Sequence, residues 1–471
     1  MELSRREFFG GLLSAAGVAA VRRVAGAHAG EPLLRFGFAS DTHLAFGDDP
    51  RQLGRVFDWF RNRNVDAVVL SGDITEGGFD DEIDFLAEIW RKSFPDGTAA
   101  DGRKVERFWV WGNHDYKDAS YMRNLPPERK AANERISMVS HKDATWRKLF
   151  GEPFPGEVFH KTIRGFSFVG AHWGYENEMV DYLRAHADEI DTSKFFVHVQ
   201  HPHIPGTVYY PGRTTKSKVR NELARHPNCL SLSGHGHESA AYETALWQGD
   251  FTALGGSSTK SVSTFGAREN GGWAKWMQTP DPLTPTASTG HGSHAMLVSV
   301  YADELVVERH EFVHDEPLGE EWALPLPFET HPEAPCVFAE RAETPQFAPE
   351  AAITVEQGVM KTRHDGRADC YRVSFPPALP AKRNGRAVDY ALEVTDGETG
   401  RVVAKRLLVQ PKLTLAERRL GRKETVFCLI RTTDLQDVAK PVFSVTPLNA
   451  IGKAGKRLRK EFCGDRPLRN S

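Results

Sequence analysis

Along the first two thirds of the chain, short apolar runs alternate with stretches whose apolar residues recur at helical spacing. Leu33–Ala39 is apolar enough for a buried strand, and Arg51–Arg61 carries Leu53, Val56, Phe57 and Phe60 on one helical stripe. Ala67–Leu70 predicts a second strand, residues 80–92 a second helix through Ile83, Phe85, Leu86 and Ile89, and Phe108–Trp111 a third strand. Residues 117–150 are charged and irregular or helical. Further strands are expected at Phe166–Gly170, Phe195–Val199, Leu230–Ser233 and Phe251–Leu254. Met296–Val300 and Glu304–Phe312 predict a hairpin turning at Ala302-Asp303. Strand, polar motif and helix in repetition predict an α/β domain with parallel strands.

From about residue 335 the pattern changes to short alternating runs: Ala352–Val355, Tyr371–Phe375, Tyr390–Val394, Val402–Leu408, Val426–Ile430 and Val442–Thr446. Turn residues such as Asp396-Gly397 separate them, and strands at that spacing predict a small β-sandwich. Pro317–Pro327 is Pro-rich and is expected to be part of a linker over residues 316–334. Residues 255–293, rich in Gly, Ser, Thr and Pro, predict a long loop.

The apolar runs matter chiefly for the polar residues at their C-terminal ends. Five polar motifs come in order: Asp41-Thr42-His43, Gly72-Asp73, Gly112-Asn113-His114-Asp115, His201-Pro202-His203 and Gly234-His235-Gly236-His237. Residues just past strand ends sit at the carboxyl edge of an open sheet, where such folds place ligands. Asp, Asn and His without Cys suit Mn, Fe or Zn rather than a soft thiolate site, and the set is large enough for two ions. His201 falls just past its strand, where the other candidates also fall, and is the expected ligand, with His203 as substitute; His198, between Val197 and Val199, reads as a strand histidine. His160 and His172 read as packing or loop residues. His291 and His294 lie in or beside the long loop, where they could approach a substrate.

The ordered series resembles the calcineurin-like metallophosphoesterase superfamily over roughly residues 33–312. That resemblance implies a four-layer αββα sandwich, here over residues 30–315, followed by the β-sandwich of 335–471, whose Phe443–Gly452 stretch is faintly similar to the last strands of fibronectin type III modules. It implies one divalent cation held by Asp41, His43, Asp73 and His237, and another by Asp73, Asn113, His201 and His235, with Asp73 bridging. It further implies hydrolysis of a small phosphodiester or phosphomonoester by a metal-bridging hydroxide, with His114 assisting the leaving oxygen; a structural role for His114 is the alternative. Purple acid phosphatases carry Tyr three residues after the bridging Asp, where this chain has Glu76, and protein Ser/Thr phosphatases read Asp-Arg-Gly where it has Glu76-Gly77-Gly78. Both departures point towards the small-molecule branch. Glu76 is either a support for the centre or an exposed loop carboxylate. Lys117, Arg123 and Arg213 are candidate cations for a dianionic monoester. Lipid headgroups and nucleotide diphosphates are further substrate classes, and a binding or adhesion protein on a phosphoesterase scaffold is the rival from another class.

At the N-terminus, Ser4-Arg5-Arg6-Glu7-Phe8-Phe9-Gly10 precedes an Ala/Gly/Leu-rich stretch ending near Val21, followed by Ala25-Gly26-Ala27 and Ala27-His28-Ala29. The pattern resembles a twin-arginine signal peptide over residues 1–29. It implies passage through the twin-arginine translocase to the periplasm or exterior, with no transmembrane segment in the mature protein. Charge is uneven: residues 28–330 carry 31 Lys/Arg against 44 Asp/Glu, and 331–471 carry 25 against 17. An acidic site region gives no support for a nucleic-acid partner. Five cysteines are too few and scattered for a disulfide scaffold, although one or two bridges in the C-terminal third are compatible with their positions.

Overall fold

The computed structural model describes residues 30–116, 123–133, 137–209, 217–262, 292–333, 335–336, 343–361, 367–379, 385–413 and 425–462. Residues 1–29, read from the sequence as an export signal, therefore lie outside the described residues, as do Lys117, Arg213, His291 and most of the long loop.

The first sheet contains β1 (Leu34–Ala39), β2 (Ala67–Ser71), β3 (Glu106–Val110), β10 (His294–Val300), β11 (Glu304–Glu311), β12 (Glu316–Pro317) and β13 (Trp322–Pro325). Its order is β12-β11-β10-β1-β2-β3, with β13 also paired to β11. β1, β2 and β3 run parallel, whereas β10 is antiparallel to β1. The second sheet has the order β4-β5-β6-β7-β9-β8, built from β4 (Val158–Ile163), β5 (Phe166–Ala171), β6 (Phe196–Val199), β7 (Cys229–Ser233), β8 (Leu246–Gln248) and β9 (Thr252–Gly255). Its four middle strands are parallel.

The two sheets pack face to face. Phe36 of β1 and Phe108 of β3 meet Phe168 of β5 with ring centroids 5.6 and 5.5 Å apart, and all three rings are fully buried. Helices α1 (Pro50–Asn62) and α2 (Asp80–Ser93) cover the outer face of the first sheet, where Phe57 and Trp90 lie against Trp109 of β3. α1 begins where Asp49 accepts from Arg51 N–H and Pro50 occupies the first turn. Between β3 and β4 lie α3 (Pro127–Ala132), α4 (Ser137–Ser140) and α5 (Lys142–Phe150). On the second sheet's outer side, α6 (Glu178–Ala185) packs on β4 and β5 and is itself covered by α7 (Lys218–Leu223). Among the described residues no helix is long and apolar enough to cross a membrane.

Within residues 316–334, expected as a linker, Glu316–Pro317 and Trp322–Pro325 instead extend the first sheet as β12 and β13. The reason is local alternation: Trp322 and Leu324 are buried while Ala323 and Pro325 face out, a period-two pattern obscured in the sequence by its prolines. β4 and β8 are likewise not expected from the apolar pattern; the exposed and half-buried positions of β4 fit an edge strand.

The C-terminal region holds two antiparallel sheets, β14 (Thr354–Lys361), β15 (Arg367–Phe375) and β18 (Val426–Arg431) in the order 14-15-18, and β16 (Asp389–Asp396), β17 (Val402–Val409), β19 (Pro441–Leu448) and β20 (Leu458–Glu461) in the order 17-16-19-20. They enclose a second core around Val373, Phe375, Tyr390, Leu392, Phe443 and Val445. Val388, Val409 and Leu413 belong instead to the core of the first region, so the two are joined through apolar contact. Buried Arg386 lies 3.5 Å from buried Glu243, and Gln248 N–H donates to Pro335 O at 2.7 Å across the same junction. Cys229, Cys336, Cys370 and Cys428 are buried, and Cys463 is outside the described residues.

Candidate metal centre

β1, β2 and β3 of one sheet and β6 and β7 of the other end at the same side of the molecule, which brings the five motifs together. The chain bends abruptly there. Asp41, His43, Asp73, His235 and His237 all have positive φ (48°, 41°, 46°, 71° and 57°), a conformation costing a non-glycine residue about 1–3 kcal/mol and found mostly where a site demands it. Two glycines are required by close approach. A side chain at Gly72, itself at φ 97°, would collide with the His201 ring, and one at Gly112 would collide with the Asp73 carboxylate.

Two sets of donor atoms result. In the first, Asp41, His43 and His237 converge within 4.8 Å of one another. His43 Nε2 lies 3.0 Å from His237 Nε2, which in turn lies 3.1 Å from Asp41 Oδ1. In the second, Asp73, His201 and His235 converge likewise, with His201 Nε2 at 3.2 Å from Asp73 Oδ2, 3.2 Å from Asn113 Oδ1 and 3.1 Å from His235 Nδ1. Asp73 joins the sets: its Oδ2 is also 3.6 Å from His43 Nε2.

The histidines are oriented from behind. His201 Nδ1 donates to Ser71 O (2.8 Å), His237 Nδ1 to Ser261 O (2.8 Å) and His43 Nδ1 to Glu76 Oε2 (2.9 Å), so each turns its Nε2 inward. Such a backing bond on the outer nitrogen is the usual arrangement of metal-binding imidazoles. Asp41 accepts from Ser40 Oγ (2.6 Å) and His235 N–H (2.8 Å) through Oδ2, while its fully buried Oδ1 has no hydrogen bond of acceptable geometry. A buried carboxylate oxygen left in that state, facing imidazole nitrogens, fits a cation between them once the rings are deprotonated.

The electrostatics of the metal-free cluster agree with this arrangement. Burial opposes charge on His43 and His201, but hydrogen bonds and charge from Asp41, Asp73 and Glu76 outweigh it, pushing His43 up to about 10 and His201 up to about 9. Burial favours the protonated form of Asp41 too, yet the neighbouring His237 holds its carboxyl well below the usual range. His235 goes the other way, lowered to about 4 by burial and by the charge of His201.

His114 stands beside the Asp73 carboxylate, with Nε2 at 4.0 Å from Oδ2 and its backbone N–H donating to Oδ1 at 2.7 Å. Its Nδ1 lies 3.2 Å from Glu76 O and 3.3 Å from Glu76 Oε1. Glu76 thus touches both His43 and His114 and is not a free loop carboxylate. Of the alternatives in the fourth motif, His201 faces the cluster, whereas His203 bonds Ser233 Oγ (2.9 Å) and faces Glu238 at 3.6 Å. His198 bonds Ser231 Oγ, and His172 accepts from Trp111 N–H; both are fully buried. His294 is buried too, with its Nδ1 near Ser257 Oγ and Ala240 N. Arg123 is exposed.

Two supports had no role assigned from the sequence. Asp115 is fully buried and accepts from Gly112 N–H (2.8 Å), Thr75 N–H (2.8 Å), Ile74 N–H (3.2 Å) and Thr75 Oγ1 (2.7 Å), tying the second and third motifs together. Burial, aided by Asp73, raises it to about 6 despite those bonds. Its place as the last residue of Gly-Asn-His-Asp was the available signal. Trp173, half-buried, sets its ring 5.5 Å from that of His235 and 5.8 Å from that of His201, and no local pattern pointed to it.

The sequence model of the calcineurin-like phosphoesterase family matches residues 34–239, which span all five motifs. No curated protein matches the chain. Among solved structures, GAP50, the anchor in the inner membrane complex of Plasmodium, aligns with 64% of this chain and 90% of its own at 12% identity and a TM-score of 0.36. An uncharacterised protein of Streptococcus pneumoniae, described as a predicted phosphoesterase, aligns over 62% and 97% at 13% identity and 0.27. An archaeal phosphodiesterase aligns over 62% and 100% at 11% identity and 0.23.

Proposed function

We propose that residues 30–315 form a dinuclear metal-dependent phosphoesterase. The observation that carries this reading is the position of Asp73 Oδ2, 3.6 Å from His43 Nε2 on one side and 3.2 Å from His201 Nε2 on the other. One carboxylate can serve two cations ~3.5–4 Å apart in this way. Asp41, His43, Asp73 and His237 would hold one ion, and Asp73, Asn113, His201 and His235 the other. Carboxylate, carboxamide and imidazole donors suit Mn, Fe or Zn. When bound, such a pair supplies a polarised phosphoryl oxygen and a water of lowered pKa. The chain's own contribution is to aim the donors and to place His114. With Nδ1 held at Glu76, the His114 ring presents Nε2 toward the cluster, where it can pass a proton to a departing ester oxygen.

The substrate in this reading is a small phosphodiester or phosphomonoester and not a nucleic acid, in keeping with the acidic balance of residues 28–330. Export by the twin-arginine route belongs to the same proposal and rests on residues 4–29. For residues 335–471 we propose a fibronectin type III-like sandwich, supported by the three- and four-stranded sheets that enclose one core.

The test is metal content per chain together with turnover of bis-p-nitrophenyl phosphate and p-nitrophenyl phosphate in Mn²⁺, wild type beside Asn113→Ala. About two ions per chain and Asn113-dependent turnover are expected, and the preferred ester separates diesterase from monoesterase. No metal uptake and no turnover after reconstitution would leave a binding scaffold as the better description.

A further inference from the structure

A second group of metal-ligating side chains lies away from the five motifs. His160 on β4, His186 at the C-terminal cap of α6 and Glu189 in the adjoining turn bring their donor atoms within 4.8 Å of one another. His186 Nδ1 is 3.0 Å from Glu189 Oε1, and His160 Nε2 is 3.3 Å from Glu189 Oε2. Tetrahedral zinc with ligands at ~2.0–2.1 Å spaces neighbouring donors roughly 3.3 Å apart, and both histidine–carboxylate approaches already stand near that spacing.

The ligands are held in place by their surroundings. Glu189 N–H and Ile190 N–H both donate to His186 O, closing the turn that carries two of the three groups. His186 N–H donates to Tyr182 O at the helix end, where the helix dipole favours a cation. Tyr182 serves both imidazoles: its ring stacks on His186 at 4.2 Å, and its hydroxyl lies 2.9 Å from His160 Nδ1, leaving His160 Nε2 aimed at Glu189. An oxygen backing the outer nitrogen is the same device seen at the proposed catalytic centre. The Glu189 side chain is 60% exposed, so the group is open to an incoming ion and to water as a fourth ligand.

We propose that His160, His186 and Glu189 form a Zn²⁺ site separate from the dinuclear centre, pinning edge strand β4 to the end of α6. Two imidazoles and a carboxylate with one open position match zinc better than the hard cations Mg²⁺ or Ca²⁺. The proposal does not depend on the phosphoesterase reading.

The experiment uses the full chain with the centre disabled by Asp41→Asn and His201→Ala, stripped with chelator and titrated with Zn²⁺ by equilibrium dialysis. This parent is expected to bind one more Zn²⁺ per chain, at micromolar concentration or below, than the same protein carrying His160→Gln and His186→Gln, and to gain thermal stability on binding. Tyr182→Phe is expected to weaken that uptake about tenfold. Should the double histidine change harm folding, Glu189→Gln, nearly equal in size, carries the comparison and is expected to weaken binding at least about tenfold. Equal zinc uptake in parent and variants, or saturation only at millimolar Zn²⁺, would overturn the proposal.

Discussion

Gly112 rests against the Asp73 carboxylate so closely that even a methyl group at residue 112 would strike Oδ1. The two residues belong to different motifs on neighbouring parallel strands, so the glycine is needed for its neighbour's position. Gly112→Ala is therefore expected to displace Asp73 by about an ångström and to lower turnover by ~10²-fold, the usual cost of such a misplacement. Metal content and kcat, measured beside a melting curve, check this; full activity in the variant would show that the contact yields.

His201 and His203 should separate cleanly. His201→Ala removes the donor that meets Asp73, Asn113 and His235, and is expected to abolish one ion and nearly all turnover. His203→Ala breaks the Ser233 bond, the approach to Glu238 and the ring contact with Tyr209, none of them with the proposed ligands, and is expected to keep the full metal complement. Metal analysis of the two purified variants decides the matter, and loss of an ion from the His203 variant would reverse the assignment.

Glu76 holds the rings of His43 and His114 together. Its replacement by Ala removes the carboxylate from both rings while leaving the residue 76 carbonyl beside His114, and turnover is expected to fall about 10–100-fold, as is common when a backing carboxylate is lost. Asp41, Asp73 and the remaining histidines still bind, so much of the metal should stay. Unchanged kcat at saturating metal would show that neither ring depends on it.

Metal uptake should release protons. In the metal-free protein His43 is raised to about 10 and His201 to about 9, against ~6.5 in an unfolded chain. Because both folded values are raised, their protonation stabilises the metal-free fold fully below pH ~6.5 and ceases to do so as pH climbs through about 9 and 10. A protonated imidazole cannot ligate, so metal affinity moves oppositely and rises over the same span. Chelator-treated protein is expected to melt at lower temperature at pH 9.5 than at pH 7, while the metal dissociation constant falls. A pH-independent dissociation constant would contradict the proton linkage.

The junction with the C-terminal sheets rests partly on Arg386 and Glu243, both almost wholly buried. Arg386→Met leaves the Glu243 carboxylate without that cation and is expected to cost about 3–5 kcal/mol. The pair of exposed Arg457 and half-buried Glu393 offers the comparison, with about 0–1 kcal/mol expected for Arg457→Met. Denaturant unfolding of both variants measures the difference; equal costs would mean that the junction is solvated.

Where the strands fall along the chain, and which residues stand at their ends, is written in the local sequence. An apolar run leading into a turn and a polar motif encodes a buried strand with ligands at its tip. The helical stripe of α1 is equally plain, because Leu53, Val56, Phe57 and Phe60 follow a 3.6-residue period, and all four are buried. Other features depend on contacts between residues far apart in the chain. That His201 and not His203 faces Asp73 is a consequence of how two sheets pack, although 128 positions separate the pair in the sequence. The backing roles of Glu76 and Asp115, and the position of Trp173 over His201 and His235, arise in the same way. So does the capture of residues 316–325 by β11, where unpaired backbone groups on an edge strand drew in a segment that its prolines had marked as linker. Local periodicity specifies which face of an element a side chain occupies; only the packing of one sheet on the other decides what that side chain meets.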